Sequence, residues 1–124
     1  MIVGIVNSSN EPVVRLDLVG TNGQRYPTVI VDTGFTGSMT GPPSLVRSLG
    51  WQWCGRALAV MADGREEVCD VYAGTIVWDG RARRVETEAV DAKPLVGMGL
   101  LRGHDLHIRA LPGGAVTISP ITFE

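Results

Sequence analysis

Val29-Ile30-Val31-Asp32-Thr33-Gly34-Phe35-Thr36-Gly37 is a β-branched run that stops abruptly at an acid, a hydroxyl and a glycine. Successive β-branched residues predict a buried strand. A carboxylate at the end of such a strand must be solvated, paired or used, because burying it alone is prohibitively costly. The glycine that follows permits a tight turn and the close approach of another backbone. Asp and Gly are also ordinary turn residues, and an Asp-Thr-Gly tripeptide arises by chance in on the order of a few per cent of chains this long. The rest of the chain has to decide between these readings.

Upstream, Met1 to Val6 reads as a short apolar strand and residues 7–12 as a turn cluster. From Val13 to Val19 the pattern alternates, with Val14, Leu16 and Leu18 on one face and Arg15 and Asp17 on the other. Asn22-Gly23 predicts a type I′ hairpin with positive φ at both positions. Its return strand, Gln24 to Val31, delivers Asp32 to its end.

Downstream, Pro42-Pro43 and Gly50 bracket a short helix with Leu45, Val46 and Leu49 on its buried side. Arg56 to Met61 and Glu66 to Ala73 are strand-like runs joined by Ala62-Asp63-Gly64-Arg65. A further pair, Gly74 to Trp78 and Arg83 to Val90, surrounds Asp79-Gly80. Leu95-Val96-Gly97-Met98-Gly99-Leu100-Leu101 is an apolar run split by glycines, and the strands Leu106 to Leu111 and Ala115 to Ile118 form a last hairpin. About eight short strands, one helix and no βαβ alternation predict an all-β sandwich or closed barrel.

Composition bounds the function. The 124 residues suffice for one domain, residues 1–124, with a real core. A formal net charge of -2 gives no footprint for nucleic acid or an anionic membrane surface. No apolar run reaches the length of a membrane span, and Met1-Ile2-Val3-Gly4 lacks a basic leader, so the expected location is the cytoplasm. Cys54 and Cys69 fit no zinc spacing and read as reduced, partly buried thiols. His104 and His107 fall on opposite faces of a strand and read as surface residues, which leaves no metal site and no cofactor to expect. Trp51 and Trp53 read as packing residues, and Arg81, Arg83 and Arg84 as a solvated edge. The glycines lack the Lys-Ser/Thr of a phosphate loop, and Ser38 and Ser44 lack a nucleophile elbow.

The order of these elements resembles that of the retropepsin-like aspartic proteases, the single-domain dimeric type found in retroviruses and in small prokaryotic proteins. Two motifs carry the likeness: Asp32-Thr33-Gly34 after its strand, and Leu95-Val96-Gly97 ahead of Leu100-Leu101. The wording Asp-Thr-Gly-Phe-Thr-Gly with a Pro-Pro-initiated helix is similar to the prokaryotic branch. The resemblance implies a closed β-barrel of the acid-protease type with one or two short helices, and an aspartic endopeptidase acting on a peptide or protein substrate.

It also implies roles. Asp32 is the catalytic carboxylate, paired with Asp32 of a second subunit, since two carboxyls must share a proton and this chain holds one Asp-Thr-Gly. Thr33 bonds the partner's loop, and Gly34 gives its N–H to the carboxylate. Leu95, Val96 and Gly97 support the loop from beneath, and Ala62, Asp63, Gly64 and Arg65 tip a flap that closes over the substrate. The terminal strands, Met1 to Val6 and Ala115 to Ile118, are expected to form an intersubunit sheet that the tail, residues 120–124, modifies. Phe35 stands where the family has Ala or Ser, which implies a narrower cleft and a dyad that holds its proton to higher pH. The charged tip implies altered flap mobility or a polar substrate preference. The alternative function is a catalytically weak or inactive peptide-binding module of the same fold; a third is an unrelated small barrel whose Asp-Thr-Gly is accidental.

Overall fold

The alternating and β-branched runs become strands, as the computed structural model shows for the residues it describes, 1–122. In chain order they are β1 (Ile2–Val6), β2 (Pro12–Arg15), β3 (Asp17–Gly20), β4 (Gly23–Arg25), β5 (Thr28–Val31) and β6 (Met39–Gly41). After the helix α1 (Pro43–Leu49) come β7 (Gln52–Val60), β8 (Glu66–Trp78), β9 (Arg81–Ala89) and β10 (Leu95–Val96). A second helical turn, α2 (Met98–Leu101), precedes β11 (His104–Ile108) and β12 (Ala115–Pro120). The protein is mostly β, as the patterning predicts.

The strands pair in the order β11-β12-β1-β2-β5-β10-β6-β9-β8-β3-β4, with β7 also on β8. The closed barrel is thereby corrected: among the described residues β11 and β4 end the path without pairing to each other. The cause lies in β8. One of its edges pairs with β9 over Val71 to Trp78, while the other serves β7 up to Ala73 and β3 from Thr75. A shared edge forks the sheet instead of curling it into a ring. The two strands expected at 66–73 and 74–78 are thus one strand of 13 residues. From Glu66 to Asp70 it pairs with β7 alone, so the β7–β8 hairpin ends as a two-stranded ribbon.

Leu16 and Pro27 break the two long strands expected around the first hairpin. Proline lacks the N–H that a ladder needs, and the Pro27 carbonyl accepts from Leu16 N at 3.1 Å. β2 stays with β5, and β3 swings across to β8. Val14, Leu16 and Leu18 nevertheless point into the core together, at 1%, 2% and 0% exposure. They meet Val29, Val31, Met39, Val46, Leu49, Trp51, Ile76, Val96, Leu100 and Ile118 in one cluster.

Turn chemistry is realised unevenly. Asp79 and Gly80 take φ of 52° and 81°, as a type I′ turn requires. At the first hairpin only Gly23 has positive φ, 114°, and the turn residues are Thr21 and Asn22. The expected type I′ turn gives way because Asn22 N donates to Leu49 O, at 3.3 Å, across the end of α1. That helix begins after extended Pro42 and stops at Gly50, φ 72°, whose N–H caps the last turn.

The terminal strands find partners within the chain. β1 and β12 pair with each other, Ile2 opposite Ile118, and have β2 and β11 on their outer sides. Within one chain β12 thus has a neighbour on each edge, while β2 meets β1 only at Ile5 and Val6. Residues 123–124 of the tail lie outside the described residues. His104 is not a simple surface residue either: it is half-buried, and its Nε2 accepts from Trp78 Nε1 at 3.1 Å while its Nδ1 lies 3.0 Å from Arg102 O. Both contacts are satisfied by a neutral ring with its hydrogen on Nδ1.

Two packing positions have opposite consequences. A Cβ on Gly74 would fall inside the indole of Trp51, which is buried and bonded through Nε1 to Val19 O at 2.9 Å. Gly74→Ala is expected to lower stability by about 1–3 kcal/mol through overpacking, read as a lower denaturation midpoint with a shifted Trp emission. Thr87 is fully buried, and its hydroxyl has no hydrogen-bond partner among the described residues. Thr87→Val keeps the shape and removes the orphan group, and is expected to raise the midpoint by up to about 1–2 kcal/mol equivalent.

Candidate active site

β5 carries Asp32 to the surface, but a neighbour distant in sequence fixes where it stops. β10 lies between β5 and β6, parallel to the first and antiparallel to the second. The loop from Asp32 to Ser38 therefore crosses the end of β10, and the backbone of the β10–α2 junction stitches it down. Asp32 N donates to Val96 O (2.9 Å), Gly97 N to Ser38 O (3.0 Å), Met98 N to Phe35 O (2.8 Å) and Gly99 N to Gly37 O (3.0 Å). Leu95 N donates to Thr40 Oγ1 on the other side, at 3.2 Å. Leu95, Val96 and Gly97 lie under the loop, with Leu100 and Leu101 buried below.

Within the loop, Gly34 N donates to Asp32 Oδ1 at 2.9 Å, which orients the carboxylate. Asp32 is half-buried, while Thr33 and Gly34 are exposed. The Thr33 hydroxyl has no hydrogen bond among the described residues. Phe35 does not simply project into open space: its ring lies over Gly37, where a Cβ would sit 2.5 Å from Cζ, and against Gly97. Close approach of backbone requires glycine at 97, whereas a Cβ at 37 would meet only the far end of the Phe35 ring. Any side chain at 97 would strike the ring and the carbonyls of Gly37 and Phe35.

A cleft of about 730 Å³ opens beside Asp32. Gly34, Phe35 and Thr36 form its floor, and Leu58 to Ala62 of the β7–β8 hairpin form one wall. Leu58 and Val60 are large apolar residues of that wall, 61% and 72% exposed, and Ala59 between them is buried. At the hairpin tip Ala62, Asp63, Gly64 and Arg65 are all exposed. Gly64 takes φ 85°, its N–H bonds Met61 O at 2.9 Å, and Asp63 Oδ2 pairs with Arg65 Nε at 2.6 Å. The charged tip is tied to itself, so its polarity is spent within the turn.

Sequence patterning does not single out Glu88. It stands opposite Thr40 in the β6–β9 ladder and lines the same cleft. Strand alternation reads it as a solvated position, since only the fold of the hairpin over β9 encloses it. Burial raises its pKa above the ordinary carboxylate value. Adjoining the cleft, and sharing Ala59, Met61 and Val90 with it, a groove of about 240 Å³ is lined by Arg47, Cys69, Asp70 and Tyr72 among others. Desolvation, then the charge of Glu88, raises the Cys69 thiol. Cys54 and Cys69 are both free, the first exposed and the second half-buried. Among the described residues no three His, Cys, Asp or Glu side chains converge as metal ligands would.

No family model matches this chain, and neither the curated proteins nor the solved structures contain a significant match to it. The site must be read from its own geometry.

Because its folded pKa is raised, Glu88 binds its proton more tightly in the native than in the unfolded state. Its contribution to stability is full below the unfolded value, about 4.3, and is lost as pH rises through the higher folded value. Glu88→Gln is therefore expected to raise the melting temperature at neutral pH and to give no gain below about pH 4, a difference that melts across the pH range will measure.

Proposed function

We propose that the protein is an aspartic endopeptidase of retropepsin type, active as a homodimer. The reading rests chiefly on Asp32-Thr33-Gly34 stitched over β10, with its carboxylate oriented by Gly34 N–H at the floor of the cleft. A loop clamped at both ends by another strand's backbone holds a reacting group in place at little entropic cost during the reaction. The exposed Thr33 hydroxyl and half-buried Asp32 are what such a loop offers a second copy of itself. The closed barrel of the family is not part of the proposal, because the sheet here is forked and open.

The chemistry needs two carboxyls that share one proton. The ionised Asp32 of one subunit takes a proton from a bound water, whose oxygen attacks the peptide carbonyl. The protonated Asp32 of the other subunit donates a hydrogen bond to the carbonyl oxygen. Proton transfer to the amide nitrogen then releases the amine, and the two fragments leave. No metal and no covalent intermediate enter this sequence. The β7–β8 hairpin, whose residues from Leu58 to Ala62 line the cleft, would cover an extended peptide and exclude bulk water.

Cleavage of a mixed peptide library by wild type and Asp32→Asn, from acidic to neutral pH, tests the proposal. Wild type is expected to cut and the variant to lose at least about 10³-fold in rate, as removal of an essential catalytic group does. Activity is expected to fall more steeply than enzyme concentration on dilution, since a monomer holds half a site. A linear dependence across the dissociation range counts against the shared dyad. Absence of cleavage by a folded dimer would transfer the cleft to peptide capture without hydrolysis.

A further inference from the structure

We propose that Glu88 forms an anionic subsite that takes the cationic side chain, arginine or lysine, of an extended peptide lying in the cleft. The inference deepens the function proposed above and rests on its assignment of the cleft to peptide. Three observations carry it.

The first is the charge of the cleft. Among the described residues its ionisable lining is Asp32 and Glu88, with no lysine, arginine or histidine. Asp32 is bonded to Gly34 N–H and belongs to the catalytic loop. Glu88 lies on a different element, in the wall built by β9, so one extended ligand can engage both without the two competing for the same group.

The second is the lack of a partner. Among the described residues the Glu88 carboxylate has neither a hydrogen bond nor an ion pair, although Arg15, Arg47, Arg56 and Arg65 are present in the chain. Arg56 pairs with Asp70 and Arg65 with Asp63, and Arg47, which lines the adjoining groove, makes no ion pair with Glu88 among the described residues. The partial burial that raises its pKa also removes water that would otherwise compensate its charge. A carboxylate so placed gains most from an incoming cation, through a charge-assisted hydrogen bond of the bidentate kind that guanidinium makes best.

The third is the shape of the surroundings. Thr40 stands opposite Glu88 in the ladder, Leu95 opposite Thr40, and Val90 lies two residues on along the chain. All of them line the cleft. Apolar walls leading to one acid suit a side chain with an aliphatic stem and a charged head. A glutamate or aspartate in the ligand would meet a like charge and be rejected.

The test uses two fluorescein-labelled octapeptide mixtures, identical save that one position at a time is fixed as arginine or as its neutral isostere citrulline. Binding is measured by anisotropy with Asp32→Asn protein at about pH 7 and about 0.15 M salt, so that no turnover is needed. At one position the arginine mixture is expected to bind about tenfold more tightly. Adding Glu88→Gln is expected to bring the two mixtures to parity without unfolding the protein, which circular dichroism checks. Equal binding of both mixtures at every position, or a preference that survives Glu88→Gln, overturns the subsite. Wild-type protein is then given the same mixtures. Cleavage of both at equal rates upholds the protease and overturns the subsite. Glu88-dependent binding without cleavage upholds the subsite and overturns the protease.

Discussion

Two residues of β10, held between β5 and β6, are the constraint on which the rest depends. Leu95 pairs with Ile30 on one side and Thr40 on the other, and Val96 with Val31 and Met39. Without that insertion the loop after β5 would be a surface connection like any other. With it, Asp32, Phe35, Gly37 and Ser38 are each tied to the β10–α2 junction through main-chain bonds. Buried backbone groups must be paired, and here the pairing of one segment is completed by the turn of another. Gly97 and Gly99 are the sequence's concession to that closeness: at both, a Cβ would press on the backbone at Gly37.

The parts of this architecture written in adjacent residues were legible in the sequence. Pro43 and Gly50 bound α1 where the helix rules put them, and Asp79-Gly80 makes the tight hairpin its residues demand. Val14, Leu16 and Leu18 share the core-facing side although the strand breaks at Leu16. Placing Leu95 to Gly97 beneath the Asp32 loop came from the family likeness, because no local pattern announces a parallel pairing between segments so distant in the chain. The type I′ turn expected at Asn22-Gly23 failed for the complementary reason: the end of α1 takes the Asn22 amide, a tertiary contact overriding a local preference.

The closed barrel was the largest departure, and its origin is also non-local. The sequence pattern divides residues 66–78 into two runs that meet at Gly74. That glycine is instead the point at which the indole of Trp51 lies on the continuous strand β8. Glu88 was hidden by the same kind of effect. A strand reading assigns it to the face away from the core, correctly, and has no means of knowing that the β7–β8 hairpin covers that face. His104 likewise acquires its partner, Trp78, from another part of the sheet.

The forked edge of β8 divides the molecule mechanically. Beyond Val71 toward the tip, the hairpin is a cantilever: its strands are clamped at one end by β9 and β3 and free at the other. The bulge between Trp53 and Gly55 lies near the clamp, where a beam bends most easily. Residues 57–70 of this arm contribute no member of the core cluster, and neither strand pairs with β5 or β10. Free energy of local opening can thus be small in one arm while the strands that hold Asp32 open only with the whole fold. Compliance and rigidity are assigned to different ends of a single strand.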